Sequence, residues 1–318
     1  MAKKTRTLFA LLLVLVMVFT AGCTGKDTDQ GGKETTSPST TTENDTQSTE
    51  PSMDINIITE PTEDNETVPA QIVPDIAGTV LYDKNGIKLS TYGFETSDSG
   101  FSIQMLIENS SDRNVMVETS QFSCNGYMFG SGISAFLKPG TESVQSFSFA
   151  NWQLEVQGIT ELSNIQFIFT VEDSDTWDLI DTSELLTLNV NEDFTPTYDY
   201  SGTEIYNQDG VRVICRGAGS ASWCDGTVYF FIENNSGRNI TVSGPWIQIN
   251  GIATTSGFSG SLRDGAAIVS YIPMLDLSSC GLNSVDEIET LTFQLYVMEE
   301  KTNDLLDYTD YITIELNN

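Results

Sequence analysis

Histidine is absent from this chain of 318 residues. That removes Ser-His-Asp and Cys-His nucleophile systems, and with them the commonest zinc ligand. The sequence GFSG at 257–260 lacks the extra residue a nucleophile elbow needs before its second glycine. No P-loop or dinucleotide glycine pattern occurs either. Carboxylates remain, 45 of them, and a glycosidase needs only two. So many acids must fall near one another by chance, and most are expected to be solvated surface. Asp173, Asp175 and Asp178 offer hard oxygen ligands to calcium. Their counterparts in the second copy of a repeat described below are Glu299, Lys301 and Asp304, and a lysine spoils a cation cage. A charged hairpin loop is therefore expected there, with no metal and no cofactor.

Thiols and aromatic rings are the other candidates. Cys124 stands where the second copy has Ile249, and reads as a small buried hydrophobe. Cys215 and Cys224 share the inward parity of two successive strands around an eight-residue connection, so a disulfide between them is expected in an oxidising compartment. Cys280 sits on an expected loop with no evident partner. Trp152, Trp177, Trp223 and Trp246 are candidate sugar-stacking platforms, and none is a tryptophan in the other copy. The alternative is that they pack under loops or between domains. Arg216 and Trp223 lie together in CRGAGSASWC, 215–224, and form a residue pair enriched at interfaces.

These groups must be carried by a framework, and the sequence says much about it. Lys3, Lys4 and Arg6 precede an apolar run from Leu8 to Phe19, an export-signal pattern for 1–22 that is too short for a bilayer span. The following TAGC, 20–23, resembles the lipobox of bacterial lipoproteins, with Thr20 in place of the usual Leu. The resemblance implies cleavage before Cys23 and lipid, such as palmitate, on that cysteine. Residues 23–75 then run through Thr, Ser, Pro and acids with few apolar groups, so an unfolded acidic stalk is expected. Formal net charge is −31, and loss of the signal's basic residues makes the remainder more negative still. Such a chain repels phosphate backbones, so nucleic acid is not an expected partner.

After the stalk the chain writes itself twice. IENSSDRNVMV at 107–117 returns as IENNSGRNITV at 232–242, identical at seven of eleven positions. GTVLYDKNGIKL at 78–89 returns at 202–213, IQFIFTV at 165–171 as LTFQLYV at 291–297, and DLIDTSELLTL at 178–188 as DLLDYTDYITI at 304–314. Two units follow, 76–192 and 200–318, joined by 193–199. Asn85-Gly86 and Asp209-Gly210 suit hairpin turns with positive φ. Phe101, Ile103, Met105 and Ile107 alternate, as do Val228, Phe230 and Ile232, which predicts strands with one buried face. Farther on the parity flips, to Phe122 and Cys124 and to Ile247 and Ile249, so a bulge or strand break is required in both copies. Asn109 and Asn234 are expected to bond the local backbone at the following turn. No long helical period occurs, and only SVDE at 284–287 suits a short capped turn.

GIKL, FSIQMLIENSSDRNVMV, CNG, LKPG, GITEL and IQFIFTVED resemble the immunoglobulin-like β-sandwich domains of uncharacterised Gram-positive lipoproteins. GVRV, VYFFIENNSGRNITV, ING and LTFQLYV carry the same resemblance in the second copy. It implies an all-β chain of two tandem extracytoplasmic immunoglobulin-like sandwiches, and it implies no catalytic residue. The expected role is therefore non-catalytic binding or adhesion at the cell envelope, to a protein or a polysaccharide, by a chain held on the outer side of the membrane through its lipid. A carboxylate-based glycan-active enzyme and a purely structural surface spacer are the alternatives. Because the cores match, ligand binding is expected on the stretches that differ, 216–224 and 252–265, and so more in the second unit than the first.

Overall fold

Asn85 and Gly86 take φ of 54° and 77°, and the register Lys84↔Ile87 closes a two-residue hairpin around them. Only primed turns give that backbone twist, so the first strand pair follows from two residues. The computed structural model describes residues 76–130, 132–221, 224–272 and 277–316. The export signal, Cys23, the stalk and Trp223 lie outside them. Among the described residues no helix is long and apolar enough to cross a membrane.

The first half runs β1 (Val80–Lys84), β2 (Ile87–Ser97), β3 (Gly100–Asn109), β4 (Val115–Cys124), β5 (Tyr127–Met128), β6 (Ser134–Leu137), β7 (Thr141–Ala150), α1 (Asn151–Gln157), β8 (Asn164–Asp173), β9 (Leu179–Thr182) and β10 (Leu186–Asn189). One sheet has the order β1-β2-β3-β7. The facing one runs β10-β8-β4, with β6 and β5 on β4 and β9 on β8. Phe101, Ile103, Met105 and Ile107 of β3 point inward, as their alternation predicts. The rings of Phe122 and Phe147 stack at 4.3 Å between the two sheets. The short helix α1 was not legible, because seven residues give no measurable period; Gly158 ends it at φ 72°.

The second half repeats the plan with β11 (Thr203–Gln208), β12 (Val211–Ala221), β13 (Cys224–Asn234), β14 (Ile240–Gly244), β15 (Gln248–Ile249), β16 (Ile252–Ala253), β17 (Phe258–Leu262), β18 (Ala266–Tyr271), β19 (Thr290–Phe293), β20 (Tyr296–Glu299), β21 (Leu305–Tyr308) and β22 (Ile312–Glu315). Its first sheet is β11-β12-β13-β18, the counterpart of β1-β2-β3-β7. The required parity change is met in two ways. In the first half β4 bulges between Ser120 and Ser123, with Gln121 at φ 52°. In the second half the equivalent strand breaks at Pro245, with Trp246 at φ 52°. The facing sheet there consequently falls into two pieces, β17-β14-β20-β21 and β16-β15-β19-β22. Ser284 caps the expected short turn Val285–Glu287 by accepting the Asp286 N–H.

The repeat at 107–117 and 232–242 is turn chemistry, as expected. Asn109 donates to the carbonyls of Arg113 and Leu137, at 2.9 and 3.1 Å, and accepts from the N–H and hydroxyl of Ser111. Asn234 does the same with Arg238, Leu262 and Ser236. A further duplicated contact escaped notice in the sequence. The buried Tyr82 hydroxyl donates to Asp181 at 2.7 Å, and Tyr206 donates to Asp307 at 2.6 Å, pinning the first strand of each half to its penultimate one.

The two halves belong to one compact unit. Ile214, Phe231, Ala267 and Val269 belong to the core cluster of the first half rather than to that of the second. At the equivalent register the first half carries buried Ser90, half-buried Leu106 and exposed Glu142 and Val144, polar at two of the four places. The second half's sheet is thus apolar on both faces because the first half covers its outer side. Tyr127 of β5 pairs with Ala267 of β18 in parallel, which carries the sheet from one half into the other. The Ala267 N–H donates to Gly126 O and the Val269 N–H to the Gln157 side chain, at 2.9 and 2.8 Å.

Candidate functional site

Of the two residues marked in the sequence for binding, Arg216 is used inside the fold and Trp223 lies outside the described residues. Arg216 lies with its guanidinium 5.0 Å above the Phe231 ring and donates to the carbonyl of Asp199, whose carboxylate is 3.9 Å away. Tyr198 and Tyr200, in the segment joining the halves, pack on Phe231 at 5.6 and 5.4 Å, and Tyr127 meets Tyr198 at 4.9 Å. Burial pushes the Tyr198 phenol up to about 12 and raises Tyr127 as well, the latter opposed by the adjacent Arg216. Arg216 therefore clamps the joint between the halves. Beside it Arg263 is buried, donating to Ser123 and Gln166 of the first half, and burial lowers its pKa.

The 215–224 connection is not the loop its composition suggested. The strands β12 and β13 run on to the pair Ala221↔Cys224, so most of the stretch is a bulged ribbon. Cys215 consequently faces Phe230 rather than Cys224, and its thiol is free and buried. The expected Cys215–Cys224 disulfide is not formed: the two cysteines share parity but stand six residues apart along the ribbon. Cys124 is buried as expected, which raises its thiol pKa. Cys280 is also buried, at the end of the 3-10 turn Leu277–Cys280, and not on an open loop. The Gly-rich stretch 252–265 also lacks adaptable loop character over β17, where Phe258 and Leu262 are buried and Phe258 stacks on Phe230 at 3.9 Å.

Asp173, Asp175 and Asp178 form the expected charged hairpin turn. Asp173 Oδ1 accepts from the N–H groups of Asp175 and Thr176, Asp178 accepts from the Thr176 hydroxyl, and Asn114 donates to the Asp175 carboxylate at 3.0 Å. The turn closes through the Trp177 N–H on Asp173 O, and Asn303 on Glu299 O closes its counterpart in the second half. Both positions are left-handed, at φ 62° and 58°. Asparagine tolerates that conformation, whereas a bulky ring there is strained.

Trp177 is also 62% exposed, and its ring meets that of Phe136, 65% exposed, at 6.4 Å and 87°. The register explains how they meet. Phe136 of β6 pairs with Met116 of β4, Met116 with Glu172 of β8, and Glu172 with exposed Leu179 of β9. These four side chains form a row across the outer face of the sheet, and Trp177 stands at its end. In the second half the same row reads Ser261, Thr241, Met298, Leu305, with Asn303 at the end. The fold therefore asks for no aromatic ring at either place. Phe136 was missed in the sequence, where SAFL reads as an ordinary alternating strand with nothing to tell its exposed ring from a core one.

Among the described residues Trp246 is a second exposed tryptophan, at 73%, again on a left-handed residue that the first half fills with Gln121. Nearby strands of that half expose Tyr308, cross-strand from Tyr296, and Tyr311 follows in the next turn. Trp152 is half-buried on α1.

No protein-family model matches the sequence, and a search of curated proteins returns no match. Among solved structures, a red sea bream transglutaminase aligns at 9% identity over 72% of this chain and 31% of its own, with a TM-score of 0.21. An exo-chitosanase of Amycolatopsis orientalis aligns at 10% identity over 71% of this chain and 26% of its own, also at 0.21. The chain spans about a third of the first and a quarter of the second, and the scores are too low to bear on fold or activity.

Proposed function

We propose that this chain is a lipid-anchored extracytoplasmic lipoprotein whose two tandem immunoglobulin-like sandwiches act as a non-catalytic binding module at the cell envelope. The observation that carries the reading is the pair Trp177 and Trp246. Each is largely exposed, each occupies a left-handed backbone position, and each replaces a polar residue of the other half. Exposed rings do not serve solubility, and a ring in that conformation does not serve stability. A contact outside the chain accounts for both. The strand orders support the sandwich reading, since the chain crosses between facing sheets after β3 and again after β7. The TAGC stretch supports the anchor, and the composition of 24–75 supports a stalk that holds the sandwiches off the membrane.

The test is co-sedimentation of the mature protein, freed of lipid by Cys23→Ser, with washed cell envelopes. Wild type is expected to sediment with them, and the double substitution Trp177→Ala, Trp246→Ala to remain in solution with its thermal midpoint unchanged. A wild-type protein that stays in solution, or a double variant that sediments equally, refutes the reading.

A further inference from the structure

The corner formed by Phe136 and Trp177 has a definite size and charge, and together they select among ligand classes. Two aromatic side chains at these exposures leave roughly 200–300 Å² of ring surface open. Leu179 adds one more exposed apolar group, while Met116 is already covered. A stable protein partner needs about 800 Å² on each side, several times what the corner offers. A pyranose ring needs only one aromatic face. The perpendicular arrangement, 87° at 6.4 Å, presents a face and a wall to such a ring rather than a flat strip.

Charge narrows the class further. The turn that carries Trp177 contributes Asp173, Asp175 and Asp178, and Glu172 lies in the row between Met116 and Leu179. The chain as a whole carries −31. Anionic polymers are repelled from such a surface, whereas an ammonium group gains from both the carboxylates and the faces of the rings. We infer that the Phe136–Trp177 corner is a binding site for an amine-bearing glycan, a polymer of 2-amino sugars with free ammonium groups. Sugar faces stack on the two rings, and the ammonium sits toward the Asp175–Asp178 turn. Asn114, which already donates to Asp175, holds that carboxylate in place at the turn. The inference rests on the binding role proposed above and adds the ligand class and the place.

The experiment uses the mature chain with Cys23→Ser and three soluble probes: a glucosamine hexamer, its fully N-acetylated counterpart, and a hexalysine peptide. Tryptophan fluorescence and calorimetry read the binding. The glucosamine hexamer is expected to bind, with the N-acetylated hexamer and hexalysine each weaker by roughly tenfold or more, since one loses the charge and the other the stacking faces. Trp177→Ala and Phe136→Ala should each weaken the glucosamine hexamer by roughly tenfold. Trp177→Asn is the control for folding, because the second half already holds asparagine at this place. It should lose the same affinity with no loss of thermal midpoint. Equal binding of the acetylated hexamer, stronger binding of hexalysine, no binding of any probe, or insensitivity to both ring substitutions would each overturn the inference. If the envelopes retain the protein through Trp177 while all three probes fail, the ligand class is wrong and the binding role stands.

Discussion

Trp177 and Asn303 occupy the same turn of the two halves, closed by the same backbone bond and held in the same left-handed conformation. A bulky side chain in that region costs about 1–2 kcal/mol, and asparagine largely avoids the cost. Trp177→Asn should therefore stabilise the protein by about 1 kcal/mol in urea unfolding while removing envelope binding. A destabilised variant would mean that the ring contributes to packing, and the functional reading of its strain would fall. The buried asparagines make the opposite case. Asn109 saturates both ends of its amide inside the turn, so Asn109→Ala leaves the carbonyls of Arg113 and Leu137 without that donor. A loss of about 2–4 kcal/mol is expected, and a loss below 1 kcal/mol would show that water replaces the amide.

At the scale of elements, the paired turns 125–126 and 250–251 separate two costs that usually come together. Gly126 and Gly251 both have positive φ, 82° and 79°. A Cβ on Gly126 would lie 2.3 Å from the Tyr198 hydroxyl, whereas one on Gly251 meets nothing within 4 Å. Gly251→Ala should cost only backbone strain, about 1 kcal/mol. Gly126→Ala should cost about 1–3 kcal/mol more, because it also displaces the joint. Equal urea midpoints for the two variants would show that Tyr198 moves aside freely. The Asn85-Gly86 and Asp209-Gly210 turns, the alternating strands and the parity change were legible in the sequence, since each is set by neighbours along the chain. The disulfide was misread because parity survives any even extension of a hairpin, and the strands continue to Ala221 and Cys224. The Phe136–Trp177 corner was half legible. A tryptophan at an asparagine position can be noticed in the repeat, but 41 residues separate the rings and only the register through β4 and β8 brings them together.

For the whole molecule, the joint is the least legible feature and the most consequential. Ile214, Phe231, Ala267 and Val269 read as ordinary strand hydrophobes, and only their equivalents Ser90 and Glu142 betray that a neighbour covers them. The joint also has a pH signature. Burial raises the phenols of Tyr127, Tyr198 and Tyr200, and Tyr198 reaches about 12 against an ordinary value near 10. The folded state thus holds these protons after the unfolded chain has released them. Their contribution is complete below about pH 10 and is lost as pH rises toward 12. The urea midpoint should fall steeply over that window, and Tyr198→Phe should make the fall shallower. An unchanged slope would place the phenol in solvent.

The same joint predicts how the chain unfolds. Because the outer sheet face of the second half is part of the first half's core, residues 76–318 should unfold in one calorimetric transition rather than two. Cut free, a 200–318 fragment would expose that face, a contiguous apolar patch of the kind that drives association. It should therefore bind a hydrophobic dye and self-associate. The first half supplies the remedy, since its own equivalent face is polar at two of these places, Ser90 and Glu142. Ile214→Ser, Phe231→Leu and Ala267→Glu copy Ser90, Leu106 and Glu142 onto the second half. These substitutions should render the fragment monomeric in sedimentation and, placed in the full chain, split the single transition into two. If the unaltered fragment is already monomeric and the full chain already melts in two steps, the halves are independent and the shared core contributes little.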